Sequence, residues 1–101
     1  MKYRIETTRL FDKWFAGLKD ARIKIRLLAR FTRIENGHFG DHKTLGNDLL
    51  ELRFFFGAGL RIYYTIQGNK IVFLLVGGDK STQKKDIEKA RGLLKEMETK
   101  P

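Results

Sequence analysis

Two arginines near the middle of the chain, Arg53 and Arg61, are the residues best suited by type and spacing to bind a phosphate. A guanidinium group stays charged across the physiological pH range and can donate parallel hydrogen bonds to two phosphate oxygens. Tyr63 follows Arg61 by two residues, so a strand would place both side chains on one face. The pattern therefore predicts a cationic patch with a hydroxyl group beside it.

Two alternating runs joined by residues 57–59 form the hairpin that positions these arginines. Each run places large apolar residues on one face and the remaining residues on the other. A three-residue loop would set Arg53 opposite Tyr63 and Arg61 opposite Phe55, with the two arginines about 7 to 8 Å apart on a diagonal. We expect the apolar face to pack in the core and the arginine face to meet solvent.

Both histidines lie in the turn-rich segment 36–48. His42, between Asp41 and Lys43, is a candidate for proton transfer, because histidine is the residue type that most often transfers protons near neutral pH. An exposed loop histidine without a catalytic role is the alternative. His38 is four residues away, but the intervening glycine argues against a helix, and the chain has no cysteine. The sequence therefore predicts no metal site.

The chain has 101 residues, a length suited to one domain spanning residues 1–101. Its net charge of +9, from 21 basic and 12 acidic side chains, favours polyanionic partners such as RNA, DNA, the ribosome or an acidic protein. The absence of cysteine fits a reducing cytoplasm. No apolar run approaches the ~20 residues that span a bilayer, so we expect a cytoplasmic protein with no membrane partner.

The second of two predicted N-terminal helices carries much of the positive charge. It is predicted to begin after Asp20, a good N-cap, and to end near Glu35. Acidic residues interrupt its basic run only at these two ends, so pairing within the helix cannot neutralise it. A solvated surface and a surface that binds RNA backbone are both compatible with this pattern. The basic residues concerned are Arg22, Lys24, Arg26, Arg30 and Arg33.

The other segments complete the predicted element order β-α-α-β-β-β-β-α. Trp14, in the first helix, is most simply a core residue. Residues 71–76 are apolar on both faces, which is typical of a buried central strand. Gly77 and Gly78 follow, and a glycine pair at a strand end allows another group to approach the backbone closely. Ser81 is the expected N-cap of the last helix.

Five blocks of sequence carry a family resemblance across nearly the whole chain. They are FDKWFAGLKD (11–20), GHFGDHK (37–43), ELR (51–53), GAGLRIYY (57–64) and GGDKSTQ (77–83). Together they resemble the RelE/ParE toxin superfamily, and more narrowly its HigB-type, phage-derived "addiction module killer" branch. The resemblance implies an α+β fold in which an antiparallel, twisted sheet carries two N-terminal helices and a C-terminal helix.

The resemblance also implies an activity and a partner. The implied function is the toxin of a type II toxin–antitoxin pair, with a cognate helix-turn-helix antitoxin that alone contacts operator DNA. Many members cut mRNA at the ribosome without a metal or other cofactor, whereas ParE-type members inhibit DNA gyrase. A third alternative is an inactive regulatory partner of the antitoxin.

The resemblance implies roles for individual residues of this chain through their positions. Arg61 occupies the place where nuclease members commonly keep a catalytic arginine. Lys80 and Asp79 follow the last strand, where several members carry catalytic residues. Lys43 and His42 match only in their location before the central strands.

Metal-free RNA cleavage uses the 2′-hydroxyl of the substrate to attack the adjacent phosphorus. Arg61, with Arg53 beside it, would offset the charge that develops on the phosphoryl oxygens. Lys43 and Tyr63 are expected to join the basic helix in binding RNA. The acid and base roles stay open among five residues: His42, Glu51, Asp79, Lys80 and Tyr63.

Overall fold

The structure, a computed structural model, describes residues 2–99. Its elements are, in chain order, β1 (Arg4–Thr7), α1 (Arg9–Ala16), α2 (Ala21–Glu35), β2 (His42–Gly46), β3 (Leu49–Arg53), β4 (Arg61–Gln67), β5 (Ile71–Gly78) and α3 (Gln83–Thr99). A 3₁₀ turn at Lys80–Thr82 leads into α3. The predicted α+β class and element order are confirmed.

The strands form one sheet in the order β1-β5-β4-β3-β2. Strands β2 to β5 pair antiparallel in succession, as short connections between consecutive strands allow. β1 runs parallel to β5, a pairing that needs a long connection such as the one that includes α1 and α2. The expected antiparallel sheet is thus antiparallel except at this edge.

Short polar side chains begin both N-terminal helices, as their positions in the sequence predict. The Oγ1 atom of Thr8 accepts a hydrogen bond from the backbone N–H of Phe11 at 3.0 Å. The carboxylate of Asp20 accepts one from the backbone N–H of Arg22 at 2.9 Å. Each bond satisfies an N–H group that has no partner within the helix.

One apolar core lies between the sheet and the helices α1 and α2. It contains the apolar face of the predicted hairpin, including Leu52, Ile62 and Tyr64. Phe11 and Leu27 supply its helical side. Burial raises the pKa of the Tyr64 hydroxyl to about 12. The prediction that these hairpin residues share a core face is confirmed.

A second core lies on the other face of the sheet, beneath α3. Leu49, Tyr63 and Leu75 pack there against Ala90 and Leu94 of the helix. The expectation that this face meets solvent is therefore wrong over most of its area. The face is covered because α3 carries an apolar stripe, which needs a sheet face against which to pack. The end of the face near the 54–60 loop, where Arg53 and Arg61 lie, stays partly open.

The hairpin register also differs from the three-residue-loop prediction. Arg53 lies directly opposite Arg61, rather than opposite Tyr63, and Tyr63 lies opposite Glu51. The pairing is shifted by two residues, so each side chain keeps its predicted face. The connection comprises residues 54–60, because the chain leaves regular strand geometry after Arg53.

The glycine pair at the end of β5 permits two close contacts, as predicted. Trp14 of α1 lies so near Gly77 that an added Cβ atom would collide with its indole ring. On the other strand face, the carboxylate of Asp86 occupies the space where a Cβ atom of Gly78 would lie. Among residues 2–99, no helix has the length and apolar character that crossing a bilayer requires.

Candidate functional site

Arg53 and Arg61 form a cross-strand pair of like charges. Their Cα atoms are partners in the β3–β4 ladder, and both side chains are partly exposed. Directly opposed like charges destabilise a sheet. The Nε atoms of both arginines are also buried, and they have no hydrogen-bond partner among the residues that the structure describes. The pair therefore has the electrostatic character of a site that an anion would stabilise.

Asp41 holds one member of this pair in place. Its Oδ1 atom lies 3.1 Å from Nη2 of Arg53, and the two side chains are 27% and 40% exposed. The backbone N–H of Arg53 donates to the Asp41 carbonyl oxygen at 3.0 Å, which fixes the loop beside the strand. The sequence alone does not predict this role of Asp41, because a contact between residues twelve positions apart depends on the β2–β3 register.

Arg61 is held by the backbone of the 54–60 loop. Its Nη1 atom donates to the carbonyl oxygens of Gly59, at 3.1 Å, and Leu60, at 3.0 Å. Within the described part of the chain, Arg61 forms no ion pair with a carboxylate. Its charge thus stays available to a ligand.

Lys80 lies beside Arg61. Gly59 has a φ of +76°, and a Cβ atom there would collide with Cγ and Cδ of Lys80 and would lie 3.7 Å from Arg61 Nη1. The absence of a side chain at Gly59 lets these two cationic side chains lie next to each other. The structure therefore brings Arg53, Arg61 and Lys80 to one end of the sheet, which we name the cationic corner.

Tyr63 lies beneath this corner and is fully buried. Burial raises the pKa of its hydroxyl strongly, and the neighbouring carboxylates of Glu51 and Asp86 raise it further. Glu51 is also buried, and it accepts a hydrogen bond from Nε2 of Gln83 at 2.8 Å. The prediction that Tyr63 contacts RNA is wrong, because α3 covers the side chain.

Asp79 caps the 3₁₀ turn that leads into α3. Its Oδ1 atom accepts hydrogen bonds from the backbone N–H and Oγ of Ser81, at 2.8 and 2.6 Å. These bonds lower the pKa of the Asp79 carboxyl. Ser81, the predicted N-cap, thus donates hydrogen bonds to Asp79, which is the N-cap in the structure. A catalytic acid needs a proton to give, so the lowered pKa argues against that role for Asp79.

His42 and Lys43 begin β2 and point to opposite faces of the sheet. Lys43 lies opposite Glu51, whereas His42 lies opposite Leu52. Strand alternation therefore places Lys43 on the face of the arginines and His42 on the other face. The His42 ring contacts Phe39, with 6.1 Å between ring centroids. The structure does not bring His42 into the cationic corner.

Arg30, predicted to bind RNA, instead joins α2 to the sheet. Its guanidinium donates to the backbone carbonyl oxygens of Phe39 and Asp41, both at 2.8 Å, and of Arg53 at 3.4 Å. It also lies 4.7 Å from the ring centroid of Phe54. Burial lowers its pKa. Arg30 therefore holds the backbone around Asp41 and Arg53 in position.

Comparison with known proteins identifies the family of this chain. Residues 13–95 match the family described as "Phage derived protein Gp49-like (DUF891)". The chain belongs to this Gp49-like family. A protein of Haemophilus influenzae strain Rd, described only as uncharacterized, is 44% identical over 97 residues, which cover 96% of this chain and 98% of that protein. The phage-derived family expected from the sequence is confirmed.

The Gp49-like chain also has the fold of a bacterial toxin. The E. coli RelBE toxin–antitoxin complex contains a chain that aligns with a TM-score of 0.63 and 19% identity, covering 76% of this chain and 95% of that one. A free E. coli RelE carrying two arginine-to-alanine substitutions aligns with a TM-score of 0.67 and 16% identity, covering 87% and 97%. The predicted RelE-like fold is confirmed.

Of the remaining basic residues of α2, Arg22, Arg26 and Arg33 are exposed, whereas Lys24 is partly buried like Arg30. Arg22 lies 3.5 Å from its capping partner Asp20, and 90% of the Arg22 side chain is exposed. Lys24 donates to a carbonyl oxygen at the end of α1 at 3.3 Å. Arg26 and Arg33 are exposed and border a surface cavity next to the 54–60 loop. In this Gp49-like protein, the exposed surface of α2 thus combines three arginines with the apolar residues Ile25 and Leu28, which are 65% and 52% exposed.

Proposed function

We propose that this protein is the toxin of a type II toxin–antitoxin pair, of the HigB type, and that it cuts mRNA on the ribosome. Its membership of the phage-derived Gp49-like family and its RelE-like fold support the toxin assignment. The net charge of +9 suits a partner as anionic as the ribosome.

The observation that carries this proposal is the opposed pair of Arg53 and Arg61 with Lys80 next to it. A sheet gains nothing from two guanidinium groups set against each other. A phosphodiester between them would remove the repulsion and would supply acceptors for their unused N–H groups. The cationic corner thus has the composition of a site that stabilises the charge on a reacting phosphate.

The reaction would proceed through the 2′-hydroxyl of the substrate. Its oxygen forms a bond to phosphorus while the bond to the 5′-oxygen breaks, leaving a 2′,3′-cyclic phosphate and a 5′-hydroxyl. Arg53 and Arg61 offset the charge on the phosphoryl oxygens. Asp41, partly exposed beside Arg53, accepts the 2′-hydroxyl proton, and the exposed ammonium of Lys80 protonates the leaving oxygen.

The proposed partners follow from the same assignment. The RelE chain in the RelBE structure is bound to its antitoxin, which supports a cognate antitoxin for this chain as well. We propose a helix-turn-helix antitoxin, through which alone the pair would contact operator DNA. Ribosomal RNA and mRNA would be the other partners, and the site of action would be the cytoplasm.

Expression without the antitoxin gene tests the proposal. The wild-type protein should arrest growth, and Arg61→Ala should abolish the arrest because it removes a phosphate contact. Arg9→Ala, an exposed arginine on α1, is the control and should stay toxic. The melting temperature of Arg61→Ala should equal or exceed that of the wild type, since the substitution relieves a like-charge pair.

Two outcomes would overturn this assignment. Toxicity of Arg61→Ala with DNA damage signalling and intact transcripts would indicate a ParE-like gyrase inhibitor, which needs no phosphate chemistry. Normal growth under wild-type expression would indicate an inactive regulatory partner of the antitoxin.

A further inference from the structure

The surface between α2 and the 54–60 loop combines an exposed aromatic ring with arginines. Phe55 is 91% exposed, although a phenylalanine gains roughly 1.5–3 kcal/mol from full burial. Beside it lies a cavity of about 410 Å³, to which Arg26 and Arg33 contribute from α2 and Phe56 from the loop. Among the described residues that line it, none is acidic. We name this surface the aromatic–arginine groove.

Internal contacts make the groove a preformed surface. The guanidinium of Arg26 lies 4.8 Å from the ring centroid of Phe56, in a cation–π contact. Arg30 fixes the floor by its hydrogen bonds to the backbone and its contact with Phe54. Phe55 and Arg33 remain directed to solvent. An aromatic face and two arginines are thus presented together.

We infer that the aromatic–arginine groove binds a nucleotide of single-stranded RNA next to the scissile phosphate. The base stacks on Phe55, and Arg26 and Arg33 contact the flanking phosphates, a combination that suits single strands. Arg30, which lines the groove, donates to the backbone carbonyl oxygen of Arg53 at 3.4 Å, so the groove adjoins the cationic corner. The choice of RNA as the ligand rests on the proposed function.

The lining favours RNA over an acidic peptide helix. A helix docks through several apolar side chains at i, i+3, i+4 and i+7, which need a continuous apolar groove. Here guanidinium groups interrupt the aromatic rings. This alternation matches the alternation of bases and phosphates along a nucleic acid strand.

Binding of a strand that cannot be cleaved tests the inference independently of catalysis. The full chain, made by cell-free synthesis, is titrated into a fluorescein-labelled 2′-O-methyl oligoadenylate of about 12 nucleotides. We expect Phe55→Ala to weaken binding about 5- to 150-fold, the loss of one stacked base, and Phe55→Trp to restore it. Arg33→Gln should lower the slope of log K against log salt by about 0.7.

Three controls define the result. Ile25→Ala removes an apolar side chain that is 65% exposed on α2 outside the groove, and it should leave affinity unchanged. An abasic strand of the same length should bind the wild type and Phe55→Ala equally. Because Phe55 is exposed, the melting temperature of Phe55→Ala should match that of the wild type.

The inference is overturned if Phe55→Ala binds the oligoadenylate as tightly as the wild type, or if it weakens binding of the abasic strand equally. It is also overturned if the groove variants lose affinity only for the purified cognate antitoxin, which would assign the groove to a protein partner. Failure of the proposed nuclease activity would appear separately, as persistent toxicity of Arg61→Ala.

Discussion

At the scale of single residues, two arginines on one helix have opposite environments. Arg30 donates to three backbone carbonyl groups and has a lowered pKa, whereas Arg33, three residues further along α2, is exposed. Both belong to one basic run, and their types are identical. They differ in their position on the helix, since Arg30 lies against the backbone of residues 39–41 and Arg33 faces solvent.

Replacing each of these arginines with methionine tests this difference. Arg30→Met should lower the free energy of unfolding by roughly 1–3 kcal/mol, because partly buried carbonyl groups lose their donor. The matched variant Arg33→Met should change it by less than about 0.5 kcal/mol. Urea denaturation of both variants measures the difference. Equal stability would show that Arg30 is not the structural link we describe.

Asp79 provides a second prediction at this scale, with a defined pH dependence. Asp79→Ala should lower the free energy of unfolding by about 0.5–2 kcal/mol at neutral pH, because the cap is lost. Asp79→Asn should keep most of the stability that the cap contributes. Because the folded-state pKa lies below the ordinary value of 3.8, the carboxylate contributes stability above that pH and loses it as acid protonates the folded state. The difference between wild type and Asp79→Ala should therefore shrink below pH 4.

The Asp79→Asn variant also distinguishes a structural role of Asp79 from a catalytic one. Toxicity should persist in Asp79→Asn, since the amide oxygen can still accept the cap hydrogen bonds. Complete loss of toxicity in a folded Asp79→Asn protein would instead support the catalytic role predicted from the sequence.

At the scale of elements, two glycines show how packing decides the effect of the same substitution. Gly77 of β5 lies against the indole of Trp14, whereas a Cβ atom added at Gly92 of α3 would meet no atom outside its own helical backbone within 4 Å among residues 2–99. Gly77→Ala should destabilise the protein by roughly 1–3 kcal/mol through overpacking between α1 and the sheet. Gly92→Ala should stabilise it by about 0.5–1 kcal/mol, because alanine is the better helix former.

Thermal and urea unfolding of both glycine variants provide the measurement. Because each variant adds one methyl group, the decisive result is that the two changes in the free energy of unfolding have opposite signs. Destabilisation by both substitutions, or by neither, would contradict the packing described for α1 on β5.

The hairpin shows which features of an element its sequence can predict. Alternation assigned each residue of β3 and β4 to the correct face, because a shift by two residues preserves parity. The register itself was predicted wrongly, since Phe54 and Leu60 are buried whether they belong to strands or to a loop. The covering of the arginine face depends on α3, which is distant in the chain, and alternation within the hairpin carries no information about it.

At the scale of the whole molecule, the sequence was sufficient to predict the α+β class, the element order and the phage-derived family. Element order follows from local patterns and caps such as Thr8 and Asp20, which need only neighbouring residues. The composition of the site could not be predicted from the sequence, because it depends on strand pairing and helix packing. Asp41 belongs to the site although it was not predicted, whereas the predicted residues His42 and Tyr63 lie outside it. Charge composition predicted an anionic partner, but the location of the cationic corner depends on the β3–β4 register.

Mapping transcript 5′ ends after induction tests the central claim most directly. If Arg53 and Arg61 hold a scissile phosphate, wild-type expression should create new 5′-hydroxyl ends within translated messages. These ends should be absent with Arg61→Ala and present with Arg9→Ala. Equal numbers of new 5′ ends with Arg61→Ala, or intact messages in cells arrested by the wild-type protein, would contradict the account.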